Sequence, residues 1–155
     1  MLKESGLSIR EATRADSDQI KIVLRQAHLS TDDLLVEGTR YWLAEDANEQ
    51  PVGTIGLELG NEAALLRSVA VIPAQRGQGI GAALVQQALA AVLQAGYQRI
   101  YLFSTGSGVY WQRSGFREVP VVELVASLPD APQVRRYNQL GLLPTEVAWR
   151  LDLAQ

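Results

Sequence analysis

The chain has 155 residues, of which 47% are hydrophobic and 20% charged, which is enough for one globular domain with a core. Its net charge of −3, without a basic run, argues against nucleic acid as a partner. With no cysteine and one histidine, the chain has no disulfide or thiolate nucleophile, and we expect no metal site. It has no apolar signal core or membrane-length stretch, so we expect one soluble cytoplasmic domain over residues 1–155, with no membrane partner.

The first elements are a strand and a helix. Residues 7–12 predict a short strand, and Thr13 followed by Asp16 forms a capping pattern. Apolar residues then recur at helical spacing, namely Ile20, Val23, Leu24 and Ala27. Three strands separated by turn signals should follow as a meander. They cover residues 41–46, 52–59 and 65–72.

Three glycines, Gly77, Gly79 and Gly81, separate the third of these strands from the most regular helix of the sequence. Glycine lets the backbone turn tightly and approach a ligand closely. A helix that begins after such a loop points unpaired N–H groups and partial positive charge at it. The pattern therefore predicts an anion cradle, most often for phosphate, with a plain glycine-rich turn as the alternative.

The helix after the glycines carries one apolar stripe and should end at Gly96. The stripe comprises Ile80, Leu84, Val85, Ala88, Leu89, Val92 and Leu93. A strand over residues 99–104 follows, so strand, loop, helix and strand form a βαβ crossover. Residues 65–72 and 99–104 should therefore be parallel neighbours.

The last third of the chain mixes helical and strand patterns. A helix is expected to stop at Gly115, and the next ten residues form a β-branched run typical of a strand. In order, we expect a helix over 108–114, a strand over 116–125, a short helix over 130–140 and a strand over 145–153.

Three segments in this order resemble the signatures of the GNAT superfamily of acyl-CoA-dependent N-acetyltransferases. Residues 66–73 are similar to the family's central strand ending in proline, and Arg76-x-x-Gly79-x-Gly81 matches its pyrophosphate loop. Residues 110–116 are similar to its aromatic helix ending in Gly-Phe. The resemblance covers nearly the whole chain. It implies an α/β fold, with a mixed sheet of about six to seven strands flanked by helices and a βαβ crossover around the glycine loop.

A finer resemblance is to amino-acid N-acetyltransferases and to acetyltransferases found with arsenic-resistance functions. It is carried by the Leu-Leu-Arg-Ser-Val strand at residues 65–69, by the pair Ser104 and Thr105, and by the proline-containing C-terminal segment. This resemblance implies an amino acid or an amino-acid-like molecule as the acceptor.

The family resemblance also implies where acetyl-CoA binds as co-substrate. Its pyrophosphate would lie over the N–H groups of residues 76–82, and its pantetheine arm would bond along residues 69–72. The Val69 N–H would polarise the thioester carbonyl. The implied donor-binding residues are Val69, Ala70, Val71, Arg76, Gly77, Gln78, Gly79, Ile80, Gly81, Ala82, Ser104 and Trp111. A solvated loop arginine at position 76 and a helix-capping serine at position 104 are the alternatives.

Two positions depart from the family's acid–base pattern. The strand position that often holds a glutamate base is Leu65 in this sequence. The candidates to replace that base are Glu58, Glu45 and Glu62. The alternatives are that these are ordinary surface glutamates and that the amine loses its proton to water. The usual general-acid tyrosine is replaced by Trp111, which leaves Tyr110 as the candidate proton donor. A packing role for Tyr110 and unaided departure of the CoA thiolate are the alternatives.

Arg67 and Tyr41 are the candidate acceptor-binding residues. Arg67 shares a strand face with Leu65, which in the family looks toward the acceptor. We expect the strand over residues 65–72 to be buried on both faces except at Arg67 and Ser68. A substrate carboxylate would pair with the arginine, and an internal salt bridge to Glu45, Glu58 or another acid is the alternative. The aromatic candidates, for which core packing is the alternative, are Tyr41, Trp42 and Tyr137.

The expected reaction is transfer of an acetyl group from acetyl-CoA to a primary amine of a small, amino-acid-like molecule. The amine should attack directly in a ternary complex, because no cysteine is present to carry the acetyl group. The alternatives are acetylation of a protein N-terminus or lysine, and a non-catalytic module that senses acyl-CoA. A homodimer is a further expectation, because the C-terminal strands offer a pairing edge.

Overall fold

The computed structural model describes residues 6–153. Seven strands in this part of the chain form one mixed sheet in the order β1-β2-β3-β4-β5-β7-β6, flanked by helices. The predicted α/β class is confirmed. The strands are β1 (Ser8–Glu11), β2 (Thr39–Glu45), β3 (Pro51–Leu59), β4 (Ala63–Val71), β5 (Arg99–Phe103), β6 (Arg117–Val119) and β7 (Ala148–Asp152). The helices are α1 (Ser17–Gln26), α2 (Ile80–Gln94), α3 (Gly108–Arg113), α4 (Val121–Ser127) and α5 (Pro132–Gln139).

The strand pairing contains the predicted crossover. β4 and β5 run parallel, in a ladder that starts at the pair Ala63 and Arg99 and ends at the pair Leu66 and Leu102. β7 is antiparallel to both of its neighbours, β5 and β6, and β1 is antiparallel to β2. Because parallel strands need a long connection, the segment containing the glycine loop and α2 serves as the crossover between β4 and β5.

The described chain divides into two compact units. The first contains the residues up to Leu57 together with Ser68–Ala91, and the second contains Glu58–Arg67 together with the residues from Val92 onward. A core cluster of the first unit comprises Ile20, Val23, Leu24, Tyr41, Leu43 and Ala70. A core cluster of the second unit comprises Ala63, Leu65, Tyr101, Val119, Leu124, Leu128, Ala131, Val134 and Ala148.

The start of the first unit follows the predicted capping pattern. The Thr13 N–H donates to the Asp16 carboxylate at 2.7 Å, and a short 3₁₀ turn, Arg14–Asp16, leads into α1. Arg10 also donates to both oxygens of this carboxylate, at 2.9 and 2.8 Å. The Arg10 bonds, followed by the Thr13 N–H, hold the pKa of Asp16 well below its usual value.

The prediction for the last turns of α2 is confirmed in one respect and wrong in another. Gly96 has a φ of +85° and its N–H donates to the Leu93 carbonyl, as a terminating glycine should. Leu93 itself is 52% exposed, so the predicted stripe is wrong at its last position. Ala91, three residues after Ala88, is buried in the last turns instead.

The long strand predicted over residues 116–125 is also wrong. β6 ends at Val119, and Pro120 occupies the position before the first turn of α4. Proline has no N–H for a strand ladder and suits a helix start. The β-branched residues after it become helical because Leu124 and Leu128 can then pack in the core of the second unit. Within residues 6–153, no helix is long and apolar enough to cross a membrane.

Candidate active site

The glycine-rich segment of the first unit forms a tight loop before α2. Gly77 and Gly79 have φ values of +81° and +83°, a region in which a side chain costs roughly 1–2 kcal/mol. The Ala83 N–H donates to the Gly79 carbonyl at 3.0 Å and closes the first helical turn. Because the first N–H groups of a helix have no partner within it, the loop and the helix start offer a row of donors.

Two other glycines lie near the start of α2, one in β3 and one in the first turn of the helix. A Cβ atom on Gly53, in β3, would lie 2.9 Å from the Leu84 side chain and 3.3 Å from the Ala70 carbonyl. A larger residue would therefore require the Leu84 side chain to shift, whereas glycine lets the helix pack closely on the strands. A Cβ on Gly81 would make only an ordinary contact, 3.8 Å from Val71. Packing within the protein therefore does not require glycine at position 81. Close approach of a ligand is the remaining explanation for this glycine.

Arg76 links the loop to the end of β4. Its Nε donates to the Val71 carbonyl at 2.9 Å while the residue remains exposed. The side chain therefore has a structural contact that neither sequence alternative foresaw.

Ser68 interrupts the extended backbone of β4. Its φ is +57°, which is uncommon for any residue except glycine. The Tyr41 hydroxyl lies 2.9 Å from Ser68 Oγ, and Thr54 Oγ1 donates to the Ser68 carbonyl at 2.8 Å. Tyr41 and Thr54 are completely buried. The structure therefore favours the packing alternative for Tyr41 over contact with an acceptor.

The donor-binding residues predicted on β4 come directly after Ser68. The ladder with β5 ends at Leu66, whereas β4 continues to Val71. Val69 and Val71 are partly exposed and Ala70 is buried. This segment thus lies beyond the parallel ladder, where main-chain groups can serve a ligand.

In the second unit, Arg67 is buried, so the expectation of an exposed side chain is wrong. Its Nη1 lies 2.8 Å from Glu58 Oε2, and these side chains are only 4% and 1% exposed. The Gln133 N–H, at the start of α5, donates to both Glu58 oxygens at 2.9 and 3.2 Å. The internal salt bridge is therefore the alternative that the structure supports for Arg67. Glu58, with donors on both oxygens, does not suit the role of a general base that was expected of it.

A polar cluster of the same unit contains two residues that the sequence pattern does not predict, Gln133 and Glu146. Gln133 Nε2 donates to the Tyr137 hydroxyl at 3.3 Å, and the Phe103 and Tyr137 rings lie 5.2 Å apart. Among the described residues, Gln133 Oε1 is buried without a hydrogen-bond partner. Burial raises the pKa of Tyr137, with the charge of Glu146 adding to it, and burial also raises the pKa of Glu146. The only sequence signal is the four-residue spacing of Gln133 and Tyr137 on one helix face.

The two aromatic residues of α3 have different environments. Trp111 is buried and packs edge-on against Phe116, with ring centroids 5.2 Å apart. Tyr110 is 43% exposed and lies edge-on to Trp111 at 4.8 Å. A phenol that reaches solvent can exchange protons, whereas the indole N–H of Trp111 can only donate a hydrogen bond.

Ser104 follows β5 and holds the connection to α3. Its Oγ accepts a bond from the Ser107 N–H at 3.2 Å, and its carbonyl accepts one from Trp149 Nε1 at 2.9 Å. Gly108 packs beneath the same indole, and a Cβ there would lie 3.0 Å from Trp149, so a larger residue would require the ring to shift slightly. These contacts hold the turn that precedes α3. The residue at the start of that helix is Ser107, which makes no side-chain capping bond, so Ser104 is not its cap.

One protein-family sequence model matches this chain. No curated protein sequence matches it significantly. The model is described as "Acetyltransferase (GNAT) family" and matches residues 8–116.

Several solved structures share the fold at low sequence identity. An acetyltransferase of the GNAT family from Staphylococcus aureus is 20% identical, with a TM-score of 0.73 over 96% of this chain and 99% of that chain. A Mycobacterium tuberculosis protein solved with CoA is 23% identical, with a TM-score of 0.74 over 95% and 99%. The N-acetylglutamate synthase from Neisseria gonorrhoeae, solved with coenzyme A and N-acetyl-glutamate, is 18% identical, with a TM-score of 0.76. That match covers 96% of this chain and 35% of the synthase.

Proposed function

Because the chain belongs to the acetyltransferase (GNAT) family of acyl-CoA-dependent N-acetyltransferases, we propose that it acetylates a primary amine of a small, amino-acid-like molecule. Acetyl-CoA is the donor, and the amine attacks it directly in a ternary complex. The observation that carries this proposal is the loop before α2, where Gly77 and Gly79 adopt positive φ angles and helix-start donors follow.

The first unit supplies the groups for the donor. The pyrophosphate binds the N–H groups of residues 76–82, since a helix start with a glycine-rich loop favours an anion. Arg76 holds the loop to Val71, and the open space above Gly79 leaves room for the phosphates. The pantetheine amides pair with the main chain of residues 69–71, where β4 has passed the end of its ladder with β5.

The Val69 N–H donates a hydrogen bond to the thioester carbonyl. The neutral amine forms a bond to the carbonyl carbon, the oxygen takes negative charge, and the N–H stabilises that charge. Collapse of this intermediate breaks the carbon–sulfur bond and releases the CoA thiolate. The amine's proton passes to water, because Glu58 is already engaged by Arg67 and Gln133.

Tyr110 is the proposed proton donor to the leaving thiolate, since Trp111 at the family position is buried and has no acidic proton. Tyr110→Phe should then lower kcat and leave the KM for acetyl-CoA unchanged, with Val109→Ala on the same helix as the control. An unchanged kcat would show that the thiolate leaves without an acid.

The polar cluster of the second unit supports the acceptor class. Gln133 and Tyr137 place an amide and a hydroxyl on α5, whose Gln133 N–H also binds the buried Glu58 and whose Val134 packs in the apolar core of the unit. N-acetylglutamate synthase, whose fold is similar, was solved with an acetylated amino acid and with L-arginine. Free α-amino acids are therefore the first acceptors to test.

A non-catalytic acyl-CoA sensor is the second candidate, favoured by the engaged Glu58 and by Trp111 in the place of an acid. Two measurements separate the candidates. CoA at one hundred times its dissociation constant should raise the melting temperature by about 5–10 °C. Thiol release from acetyl-CoA should then accelerate with at least one α-amino acid. Protection without turnover would favour the sensor.

The loop itself is tested with a matched pair of variants. Gly79→Glu should abolish protection by CoA, because the new carboxylate repels the phosphates. Gly106→Glu, at a glycine with open space around it and outside the loop, should retain it. If neither variant changes the protection, or if CoA does not protect the wild-type protein, the acetyltransferase proposal fails.

A further inference from the structure

The contacts around Ser68 have a role that the packing of the first unit alone does not require. We propose that Tyr41 and Thr54 are positioning residues for acetyl transfer. They hold Ser68 in its left-handed conformation and thereby direct the Val69 N–H at the carbonyl of acetyl-CoA. This inference rests on the proposed function, because it concerns how the same donor site acquires its geometry.

The conformation of Ser68 needs an external support. A side chain in the left-handed region costs roughly 1–2 kcal/mol relative to an ordinary backbone conformation. A strained residue of this kind persists only where its surroundings impose it, and such residues concentrate at functional sites. With φ at +57°, Ser68 changes the direction of β4 one residue before the N–H that the reaction needs. A left-handed residue within a strand re-aims the groups that follow it.

Two buried hydroxyl groups provide the support, one from β3, which lies next to β4, and one from β2, which lies beyond β3 in the sheet. Tyr41, in β2, contacts Ser68 Oγ at 2.9 Å. Thr54, in β3, donates to the Ser68 carbonyl at 2.8 Å. The carbonyl of Ser68 belongs to the same peptide group as the Val69 N–H. The bond from Thr54 therefore fixes the plane of that peptide, and with it the direction of the N–H.

The Tyr41 ring is itself held in a slot. A Cβ on Gly56 would lie 2.6 Å from two ring carbons of Tyr41, so only glycine at this position of β3 lets the ring lie across the strand. Glycine in the middle of a strand normally weakens it. Gly56 thus weakens β3 but provides the space that lets the Tyr41 hydroxyl reach Ser68.

The first measurement is spectroscopic and needs no amine. Acetyl-CoA labelled with ¹³C at the carbonyl is bound to the protein, and the carbonyl stretch is recorded by infrared difference spectroscopy. The wild-type protein should lower the stretching frequency, because a hydrogen bond from Val69 weakens the C=O bond. Tyr41→Phe and Thr54→Val should each reduce this shift. The dissociation constant for CoA should change little, because CoA has no acetyl carbonyl and the pyrophosphate loop is untouched.

The second measurement is kinetic. Tyr41→Phe and Thr54→Val should lower kcat by about tenfold, less than the 10²–10³-fold typical for complete loss of an oxyanion donor. KM values should change little. Ser68→Gly should retain a higher kcat than Ser68→Ala, because both lose the hydroxyl but only glycine adopts a positive φ without cost. A purely structural role would not separate kcat from KM in this way.

Tyr97→Phe is the matched control. It removes a tyrosine hydroxyl of the second unit that donates to the Gly60 carbonyl at 2.6 Å, and it should leave both the infrared shift and kcat at wild-type values. The inference is overturned if the Tyr41 and Thr54 variants behave as the control does, or if bound acetyl-CoA shows no shift in the wild-type protein. In either case, CoA protection and turnover by the wild-type protein would leave the proposed function standing. Failure of both would remove the proposed function.

Discussion

Arg67 and Glu58 form an ion pair inside the second unit, with 2.8 Å between Nη1 and Oε2. Each partner is costly to bury alone, because a charge removed from water loses its solvation. The pair survives there because the Gln133 N–H adds two further bonds to the carboxylate. The arginine that the sequence offers for a substrate is thus already committed to an internal partner.

Breaking this pair should be strongly destabilising. Glu58→Gln removes the carboxylate charge that lies 2.8 Å from the buried guanidinium, and we expect the free energy of unfolding to fall by about 3–5 kcal/mol. Urea unfolding at pH 7 measures the change. Combining Glu58→Gln with Arg67→Met should recover part of the loss, since the double variant lacks both charges of this pair.

The control for this prediction is an exposed ion pair. Arg40 and Glu11 bond at 2.8 Å, but their side chains are 35% and 47% exposed. Glu11→Gln should therefore cost less than about 1 kcal/mol. Equal losses for the two glutamate variants would show that burial is not what makes the Arg67 pair important.

Acid should destabilise the protein through Asp16. Its pKa in the folded state is lowered from 3.8, first by the Arg10 hydrogen bonds and then by the Thr13 N–H. A lowered folded-state pKa contributes stability that is complete above the unfolded-state value and is lost as the pH falls. The free energy of unfolding should therefore decline between roughly pH 5 and pH 2. Asp16→Asn should flatten this decline and cost about 1.5–3 kcal/mol at pH 7.

Urea unfolding across this pH range tests the Asp16 prediction. Asp130→Asn, at an exposed aspartate, should leave both the pH dependence and the stability at pH 7 close to those of the wild type. A decline that persists unchanged in Asp16→Asn would assign the acid sensitivity to other carboxylates.

Glu146 should affect the pH dependence of stability in the opposite direction to Asp16. Burial raises its pKa above the usual 4.5, so folding penalises the charged form of this side chain. The penalty is present at neutral pH and disappears as the pH falls through the raised value. Glu146→Gln should therefore raise the melting temperature at pH 7 by a small amount and have no such effect near pH 4. Glu62→Gln, at an exposed glutamate, is the control, and a loss of stability in Glu146→Gln would contradict this assignment.

The features that the sequence predicts well depend on local chemistry. The glycine loop, the end of α2 at Gly96 and the Thr13–Asp16 cap each follow from residues within a few positions of one another. The crossover between β4 and β5 follows from the order of the elements together with the general handedness and neighbour rules for such connections.

The features that the sequence does not predict depend on contacts between distant positions. Nothing near Arg67 indicates that Glu58 and not another acid is its partner, because the choice depends on sheet register and on the position of α5. The same holds for Tyr41 and Ser68, which are 27 positions apart. Pro120 is a local signal against a long strand, but the β-branched residues around it favour a strand more strongly when the sequence is considered alone.

Gly79 links the stability of the loop to the proposed binding of CoA, and a single methyl group should affect both. Its φ is +83° and a Cβ there would meet no protein atom within 4 Å. Gly79→Ala should therefore cost only the backbone strain, roughly 1–2 kcal/mol in urea unfolding. The methyl group would also occupy the space into which a phosphate must come, so CoA binding should weaken at least about tenfold, or 1.4 kcal/mol, in calorimetric titration. Gly106→Ala, where the surroundings are equally open but φ is not in the left-handed region, should change neither quantity. If Gly79→Ala loses stability but binds CoA as the wild type does, the phosphates do not approach this glycine, and the glycine serves the turn alone.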